Sequence, residues 1–256
     1  MLKRANTIRG YRLTAPDGEI GAVNDFFFDQ EDWTIRYVMV KAEEWLPDRR
    51  VLIAPAEFDA PDWSRKVLPI SLTKEKIKNS PKIPLDLPIS RAHEIALADY
   101  YAWQPYWITP VKEAKQSERA IPPESCPRTD SRLDYDSDIR LHGLQEIKGY
   151  RVCSVDGRVG YVEDLGVETA DCQIRYLIVD GWDLYPGRHF VVPTSYADSL
   201  DWMNIEIRIS LSRKEIQTAP ELNPDVPFNP KCETEFDAFY KQLAASSSRE
   251  CRASMR

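Results

Sequence analysis

The chain has 256 residues, of which 43% are hydrophobic and 29% are charged, a composition typical of a globular protein. No stretch reaches the roughly 18 consecutive apolar residues of a membrane-spanning helix, and no apolar segment follows Lys3 and Arg4 to form a secretory signal. The formal net charge is −7, without the clustered cations that binding to a phosphate backbone requires. We therefore expect no membrane span, no nucleic-acid partner and a cytoplasmic location.

An internal repeat sets the order of the predicted elements. Residues 8–12, Ile-Arg-Gly-Tyr-Arg, return at 147–151 as Ile-Lys-Gly-Tyr-Arg, an offset of 139 residues. At the same offset, the segment Asp-Gly-Glu-Ile-Gly-Ala-Val-Asn-Asp that starts at Asp17 returns as Asp-Gly-Arg-Val-Gly-Tyr-Val-Glu-Asp. The sequence therefore predicts a tandem duplication, with a first repeat at 1–107 and a second repeat at 141–245.

Each repeat shows the period-two alternation of β-strands. An Asp-Gly pair between two apolar runs predicts a hairpin at the start of each repeat. Five strands are predicted per repeat, beginning near Ile8, Ile20, Thr34, Arg50 and Lys66 in the first, and near Glu146, Val159, Gln173, Arg188 and Asn204 in the second. Short antiparallel strands joined by turns are typical of a small barrel. We expect a mainly β protein of two small β-barrels in tandem, each followed by short helical segments.

Helical segments are predicted to end each repeat. Thr73 and Ser212 stand at helix N-cap positions, and Ser212 also has the glutamate of a capping box. Longer helices are expected from Ser90 and, after the candidate cap Asn229, from Pro230. Their apolar faces are predicted from helical spacing as Ile95, Ala96, Tyr100 and Trp103 in the first repeat, and Phe236, Phe239, Tyr240 and Leu243 in the second.

Two further segments lack the patterns of regular structure. Residues 108–140 contain four prolines and many charges with little periodicity, which predicts a linker. Residues 246–256 begin with three serines and contain three arginines, which predicts a disordered tail.

The motifs of both repeats resemble the PRC-barrel family. An apolar residue, x, Gly and Tyr are followed by Asp-Gly-x-Ile/Val-Gly-x-Val-x-Asp, by Ile-Arg-Tyr with an apolar pair, and by Ser-Leu-Thr/Ser-x-x-x-Ile-x-x-x-Pro. The resemblance covers most of residues 5–84 and 144–223. It implies barrels like those of the photosynthetic reaction-centre H subunit and of a ribosome maturation factor. The membrane helix of the former and the extra N-terminal domain of the latter have no match here. No acidic motif matches the proton-delivery groups of the H subunit, so those roles are not carried over.

The sequence predicts no catalytic residue, cofactor site or metal site. His93, His142 and His189 lie far apart, and the five cysteines include no C-x-x-C pair. Cys153 and Cys172 fall in predicted strands, where a buried and inert thiol is expected.

One pair of carboxylates invites a catalytic interpretation. Asp25 and Asp164 occupy equivalent positions in the two repeats. The favoured interpretation is structural, in which each carboxylate caps a turn or accepts bonds from local backbone.

Aromatic residues provide the candidate interface, because Tyr and Trp bring large rigid area and a polar group. Its residues are Tyr100, Tyr101, Trp103, Tyr106, Trp107, Trp182 and Tyr185. These side chains either pack the protein internally or face a partner, and the sequence does not decide between the two.

Three functions remain open at this stage. The first is a noncatalytic interaction or assembly module for a protein partner. The second, implied by the resemblance, is an accessory role in photosynthetic or redox electron transfer, and the third is support of RNA processing or ribosome assembly. The repeats are expected to pair about an approximate twofold axis, because duplicated chains preserve the contact of an ancestral homodimer. A homo-oligomer is compatible with this expectation.

Overall fold

The computed structural model describes residues 1–42, 46, 50–83, 89–108, 141–223, 228 and 230–254. The first repeat contains β1 (Leu2–Arg4), α1 (Ala5–Ile8), β2 (Arg12–Ala15), β3 (Gly18–Asp29), β4 (Thr34–Lys41), β5 (Val51–Ile53), β6 (Val67–Pro69), α2 (Lys74–Lys78) and α3 (Arg91–Tyr101). The second repeat contains β7 (Leu141–Gly143), α4 (Leu144–Ile147), β8 (Arg151–Ser154), β9 (Gly157–Glu168), β10 (Gln173–Asp180), β11 (His189–Pro193), β12 (Ala197–Asp201), β13 (Glu206–Ile209), α5 (Arg213–Thr218) and α6 (Pro230–Ser254). Three 3₁₀ turns, Pro55–Glu57, Tyr106–Ile108 and Thr194–Tyr196, complete the described elements.

The described strands form one mixed sheet of 13 strands. Its path runs β12-β13-β8-β9-β10-β4-β3-β2-β6, with β1, β5, β7 and β11 paired beside the path. Most pairs are antiparallel, whereas β2 with β6 and β8 with β13 are parallel. The prediction of a mainly β protein is confirmed. Because the sheet is not closed, the expected pair of small β-barrels in tandem is not confirmed.

Each repeat starts with a short strand and a helical turn that the sequence did not predict. The strands expected to begin near Ile8 and Glu146 are replaced there by α1 and α4. The chain then turns at Gly10 and Gly149, which have φ angles of +79° and +85°, a region that glycine enters without steric cost. The first hairpin strand of each repeat therefore begins only after this turn.

The opening strand of each repeat pairs with the other repeat. β1 lies antiparallel to β9, with Lys3 opposite Val167. β7 lies antiparallel to β3, with His142 opposite Phe28. The two pairings are equivalent under the 139-residue offset, so the repeats exchange their first strands reciprocally.

A local twofold axis relates the two halves of the sheet. β4 and β10 meet at the equivalent residues Thr34 and Gln173. Two reciprocal backbone bonds of 2.8 Å flank this pair, one donated by Ile35 to Cys172 and one donated by Ile174 to Trp33. Since each bond is the image of the other, the axis passes between β4 and β10. The repeats do pair with each other, as expected of a duplicated chain.

The buried apolar side chains form two clusters that each draw on both repeats. The larger cluster contains residues from every part of the sheet, among them Phe28 and Leu177. The smaller cluster lies against α6, where Leu2 of the first repeat packs with Tyr176 and Phe236 of the second. The hydrophobic contribution to folding is therefore shared between the repeats.

The terminal helices follow the sequence in part. Thr73 and Ser212 cap α2 and α5 as predicted, and Phe236 and Tyr240 are buried on α6 as predicted. The predicted face of α3 is wrong, because Ile95 is 45% exposed. Its buried residues are Glu94, Leu97, Ala98 and Tyr101. Because the buried face includes the charged Glu94, the face predicted from apolar residues alone starts at its neighbour Ile95.

The last described helix is longer than expected. α6 continues to Ser254, through most of residues 246–256, where the sequence predicts disorder. No glycine or proline occurs between Lys231 and Ser254 to end the helix. The expected linker, beyond Ile108, lies outside the described residues. Among the described helices, none combines the length and apolarity needed to span a bilayer.

An ion pair fastens the exchanged strand β1 to the second repeat. Arg4 Nε donates to Asp164 Oδ2 over 3.1 Å, and an Arg4 terminal nitrogen donates to Glu163 Oε1 over 3.0 Å. The other oxygen of Asp164 accepts the Asn6 backbone N–H in α1 over 3.2 Å. The Arg4 and Asp164 side chains are 13% and 4% exposed, so solvent screens the pair little.

We expect Arg4→Ala to destabilise the protein by about 2–4 kcal/mol, because it leaves a buried carboxylate without its cation. Arg12→Ala is the control, since Arg12 makes only an exposed pair with Glu19 at 4.0 Å, and should cost less than about 0.5 kcal/mol. Urea unfolding followed by tryptophan fluorescence measures both. Equal stabilities for the two variants would contradict the role assigned to Arg4.

Candidate functional site

The two recurring aspartates serve the contact between the repeats. Asp25 accepts backbone N–H groups from Phe26 over 2.8 Å and from Gln145 over 3.2 Å. Asp164 accepts the equivalent groups of Leu165 and Asn6. Each carboxylate therefore holds the first helical turn of the opposite repeat. This geometry agrees with the structural interpretation and places no other reactive group on either carboxylate.

The two aspartates differ in what neutralises them. Arg4 lies beside Asp164, and the equivalent residue beside Asp25 is Gly143. A Cβ added at Gly143 would lie 2.7 Å from Asp25 Oδ2. Burial raises the pKa of Asp25 to about 6, against two backbone hydrogen bonds and Arg9, which lower it. Burial also raises the pKa of Asp164, and there Arg4 opposes the shift. Asp25 is therefore the less well compensated buried charge.

The aromatic residues that end the first repeat are anchors within that repeat. Tyr101 is buried and stacks on Trp103, with ring centroids 4.3 Å apart. Trp103 Nε1 donates to Glu57 Oε1 over 2.6 Å, and the Tyr100 hydroxyl donates to the Lys76 carbonyl over 2.8 Å. These contacts fix the end of α3 against α2 and the 3₁₀ turn Pro55–Glu57. The internal alternative therefore applies to this part of the candidate interface.

A buried glutamate on α3 organises the neighbouring aromatic residues. The Tyr106 hydroxyl donates to Glu94 Oε2 over 2.8 Å, and Arg91 pairs with Glu94 Oε1 at 2.9 Å. Tyr37 also hydrogen-bonds to Glu94. Burial raises the pKa of Glu94, while these hydrogen bonds and the charge of Arg91 lower it. Burial and Glu94 together raise the pKa of Tyr37 and Tyr106, so both phenols stay protonated.

Two arginines hold the 3₁₀ turn that follows α3. The guanidinium of Arg36 lies 3.9 Å from the ring centroid of Tyr106. The guanidinium of Arg91 lies 4.2 Å from the ring centroid of Trp107. Cation–π contacts of this kind contribute about 0.5–2 kcal/mol each. Tyr106 and Trp107 are consequently held as a preformed wall rather than as loose side chains.

This wall borders an open cleft of about 890 Å³, which we name the first-repeat cleft. Its other sides come from β4, from residues 54–63 and from the turn at 169–172 of the second repeat. Seven aromatic side chains line it, namely Phe26, Tyr37, Phe58, Trp63, Trp103, Tyr106 and Trp107. The volume and the largely apolar lining fall in the range of ligand-binding sites. The cleft is the candidate functional site.

A smaller cleft of about 470 Å³ lies at the equivalent place in the second repeat. Both clefts contain the equivalent tyrosines Tyr37 and Tyr176, and Tyr176 donates to Asp237 of α6 over 2.6 Å, as Tyr37 bonds Glu94 of α3. Matching Asp237 to Glu94 places Lys241 of α6 where α3 has Ala98. Lys241 lines the smaller cleft and Ala98 lines the larger one.

The remaining candidate residues lie elsewhere. Trp182 and Tyr185 are 62% and 49% exposed in the segment between β10 and β11, and neither lines a cleft. Tyr161, 37% exposed, is on the adjacent strand, paired with Asp180 at the end of β10. The structure thus divides the predicted interface into two parts. One is the aromatic group at the end of the first repeat, of which Trp103, Tyr106 and Trp107 line the first-repeat cleft, and the other is a separate exposed patch.

Three residues of the cleft and its support escaped the sequence analysis. Trp63 lines the cleft and has Trp202 as its equivalent, so the duplication itself carried that signal. Glu94 could have been found as a charged residue interrupting the apolar spacing of α3. Phe58 gave no signal, because its segment has neither helical nor strand periodicity.

The described histidines and cysteines are spread over several elements of the structure. His142 stacks on Trp202, with ring centroids 3.3 Å apart, and His189 begins β11. Cys153 lies in β8 as predicted, whereas Cys172 lies in a turn with φ +57°. Burial raises the pKa of both thiols. Within the described ranges, no group of three or more His, Cys, Asp or Glu residues could hold a metal ion.

Comparison with known proteins gives no assignment. No protein-family model matches the chain, and no curated protein matches it.

We expect Asp25→Asn to change the pH dependence of stability. The pKa of Asp25 is about 6 in the folded protein against an ordinary value of 3.8, so folding binds a proton between these values. The protonated group therefore stabilises the folded protein at low pH. This stabilisation, up to about 3 kcal/mol, is lost as the pH rises to 6. The asparagine oxygen still accepts both backbone N–H groups, so the variant should lack this loss and be at least as stable as wild type at pH 7.

Asp164→Asn is the matched control for this measurement, because it removes the charge that Arg4 needs and should lower stability at pH 7. Unfolding midpoints in urea from pH 4 to pH 8 compare the three proteins. Equal destabilisation by both substitutions would show that Asp25 is not the less compensated charge.

We expect Trp103→Ala to lower the unfolding free energy by about 2–3 kcal/mol, with a Tm decrease of roughly 5–10 °C, because the variant loses ring stacking and leaves Glu57 without its indole donor. Trp182→Ala should change Tm by less than about 2 °C, since that side chain is mostly exposed. Thermal melts followed by circular dichroism test both. An unchanged Tm for Trp103→Ala would remove Trp103 from the set of internal anchors.

Proposed function

We propose that the protein is a noncatalytic assembly module composed of two PRC-type β units, and that its first-repeat cleft binds a segment of a partner protein. The observation that carries this proposal is the preformed aromatic cleft, open in the first repeat and reduced in the second. Aromatic residues that are rigid before binding lose little entropy on contact, which favours recognition. The motifs of both repeats support the family assignment within the proposal.

The polar groups around the cleft support binding rather than catalysis. Arg36 is paired with Asp29 at 3.9 Å and with Asp32, so its charge is already compensated. Glu94 is occupied by Tyr106 and Arg91. Cys172 keeps its proton because burial raises its pKa, and a thiol is a weak nucleophile. No described lining residue is paired as a nucleophile with a base.

Two other functions stay as alternatives. An accessory role in photosynthetic or redox electron transfer rests on the motif resemblance to the H subunit. Support of RNA processing or ribosome assembly rests on the same family, and the net charge of −7 disfavours direct contact with RNA. The identity of a captured partner would distinguish these two roles from a role in assembling other proteins.

We expect Ala56→Trp to block partner binding, because Ala56 is exposed and lines the first-repeat cleft. Ser195→Trp is the matched control, since Ser195 is the equivalent exposed residue in the smaller cleft. Immobilised wild type and both variants, confirmed as folded by circular dichroism, are compared by quantitative mass spectrometry of proteins retained from native lysate. A partner retained by wild type and the control but lost with Ala56→Trp supports the proposal. Equal retention by all three overturns it.

A further inference from the structure

We propose that the first-repeat cleft recognises a proline-rich segment in the polyproline II conformation, with a lysine or arginine beside the prolines. This inference rests on the proposed function and adds the chemistry of the partner segment. Three features of the cleft lead to it: its aromatic surface, its unpartnered indole donors and its balance of charge.

The first feature is the surface of the walls. Aromatic rings line the cleft together with Pro55, Pro61 and Pro105, so much of its area is flat and rigid. Proline rings pack on such surfaces, and aromatic-lined grooves are a recurring site for proline-rich segments. The cleft is also open to solvent rather than enclosed, which is compatible with a bound chain segment.

The second feature is the pair of indole donors at Trp63 and Trp107. Both residues line the cleft, and neither Nε1 donates a hydrogen bond to any part of the chain that the structure describes. Trp103, by contrast, already uses its indole N–H on Glu57. A polyproline II segment has no internal hydrogen bonds, so its backbone carbonyls are available acceptors. The two indoles can therefore bind such a segment without breaking an existing contact.

The third feature is charge. Arg36 is the lining cation, and it is already paired with Asp29 and Asp32. Asp171 is paired with Arg175 at 2.6 Å. Asp59 is exposed, lines the cleft and has no ion pair with another described residue. The uncompensated charge of the lining is therefore negative, which favours a cation next to the prolines of the bound segment.

The inference is tested with fluorescein-labelled peptides that carry the core Pro-Leu-Pro-Pro-Leu-Pro with one arginine before it or after it. Fluorescence anisotropy with the full chain should show saturable binding of at least one of the two. Replacing the arginine by glutamate, or the core prolines by alanine, should weaken binding by about tenfold or more. Asp59→Lys should weaken it by about fivefold, and 0.5 M salt should reduce the effect of Asp59. Trp107→Phe, which keeps an aromatic ring and removes the indole N–H, should also weaken binding.

Asp198→Lys is the matched control, because Asp198 is the equivalent exposed residue of the second repeat and lines neither cleft. It should leave peptide affinity unchanged. Absence of binding by both peptides, or equal affinity for Asp59→Lys and wild type, overturns the inference. If Ala56→Trp still abolishes retention of a partner, the proposed function survives and only the ligand class is wrong. If neither partner retention nor peptide binding depends on the cleft, both fail.

Discussion

The reciprocal exchange of opening strands is the contact on which the rest of the molecule depends. β1 completes the pairing of β9, and β7 completes the pairing of β3, so each repeat supplies an element that the other lacks. Asp25 and Asp164 then fix the helical turn that follows each exchanged strand. Because the exchange joins the repeats through backbone hydrogen bonds, the 169–172 turn of the second repeat becomes one side of the first-repeat cleft. The cleft is therefore a product of both repeats.

The sequence predicted what periodicity and duplication encode. The long strands, the caps at Thr73 and Ser212 and the buried face of α6 follow from local pattern. The exchanged strands could not be predicted, because three residues such as Leu2–Arg4 carry no recognisable period and their partners lie more than 160 residues away. The prediction of the α3 face failed because the charged Glu94 is buried among Tyr37, Arg91 and Tyr106, a burial that apolar spacing does not reveal. The cluster of aromatic residues was found from the sequence, but its packing within the first repeat depends on contacts such as Trp103 with Glu57.

The candidate site lies where the two repeats have diverged. Pro61 stands where the second repeat has Leu200, and proline lacks the N–H that a paired strand needs. Residues around Pro61 accordingly form only isolated bridges, whereas Leu200 belongs to the regular strand β12. The two repeats therefore share most of the sheet and differ at the strand that would border the first-repeat cleft.

The exchanged strand also constrains the order in which the chain can fold. During synthesis, β1 emerges before its pairing partner Gly166–Glu168, which follows only after the rest of the first repeat, residues 108–140 and the first strands of the second repeat. Until β7 emerges, the first repeat presents an unpaired strand edge at Phe27–Asp29. Contacts so distant in sequence slow folding, since a long loop must close before they form. The nascent first repeat is therefore the stage at which a chaperone would protect this protein from strand-edge aggregation.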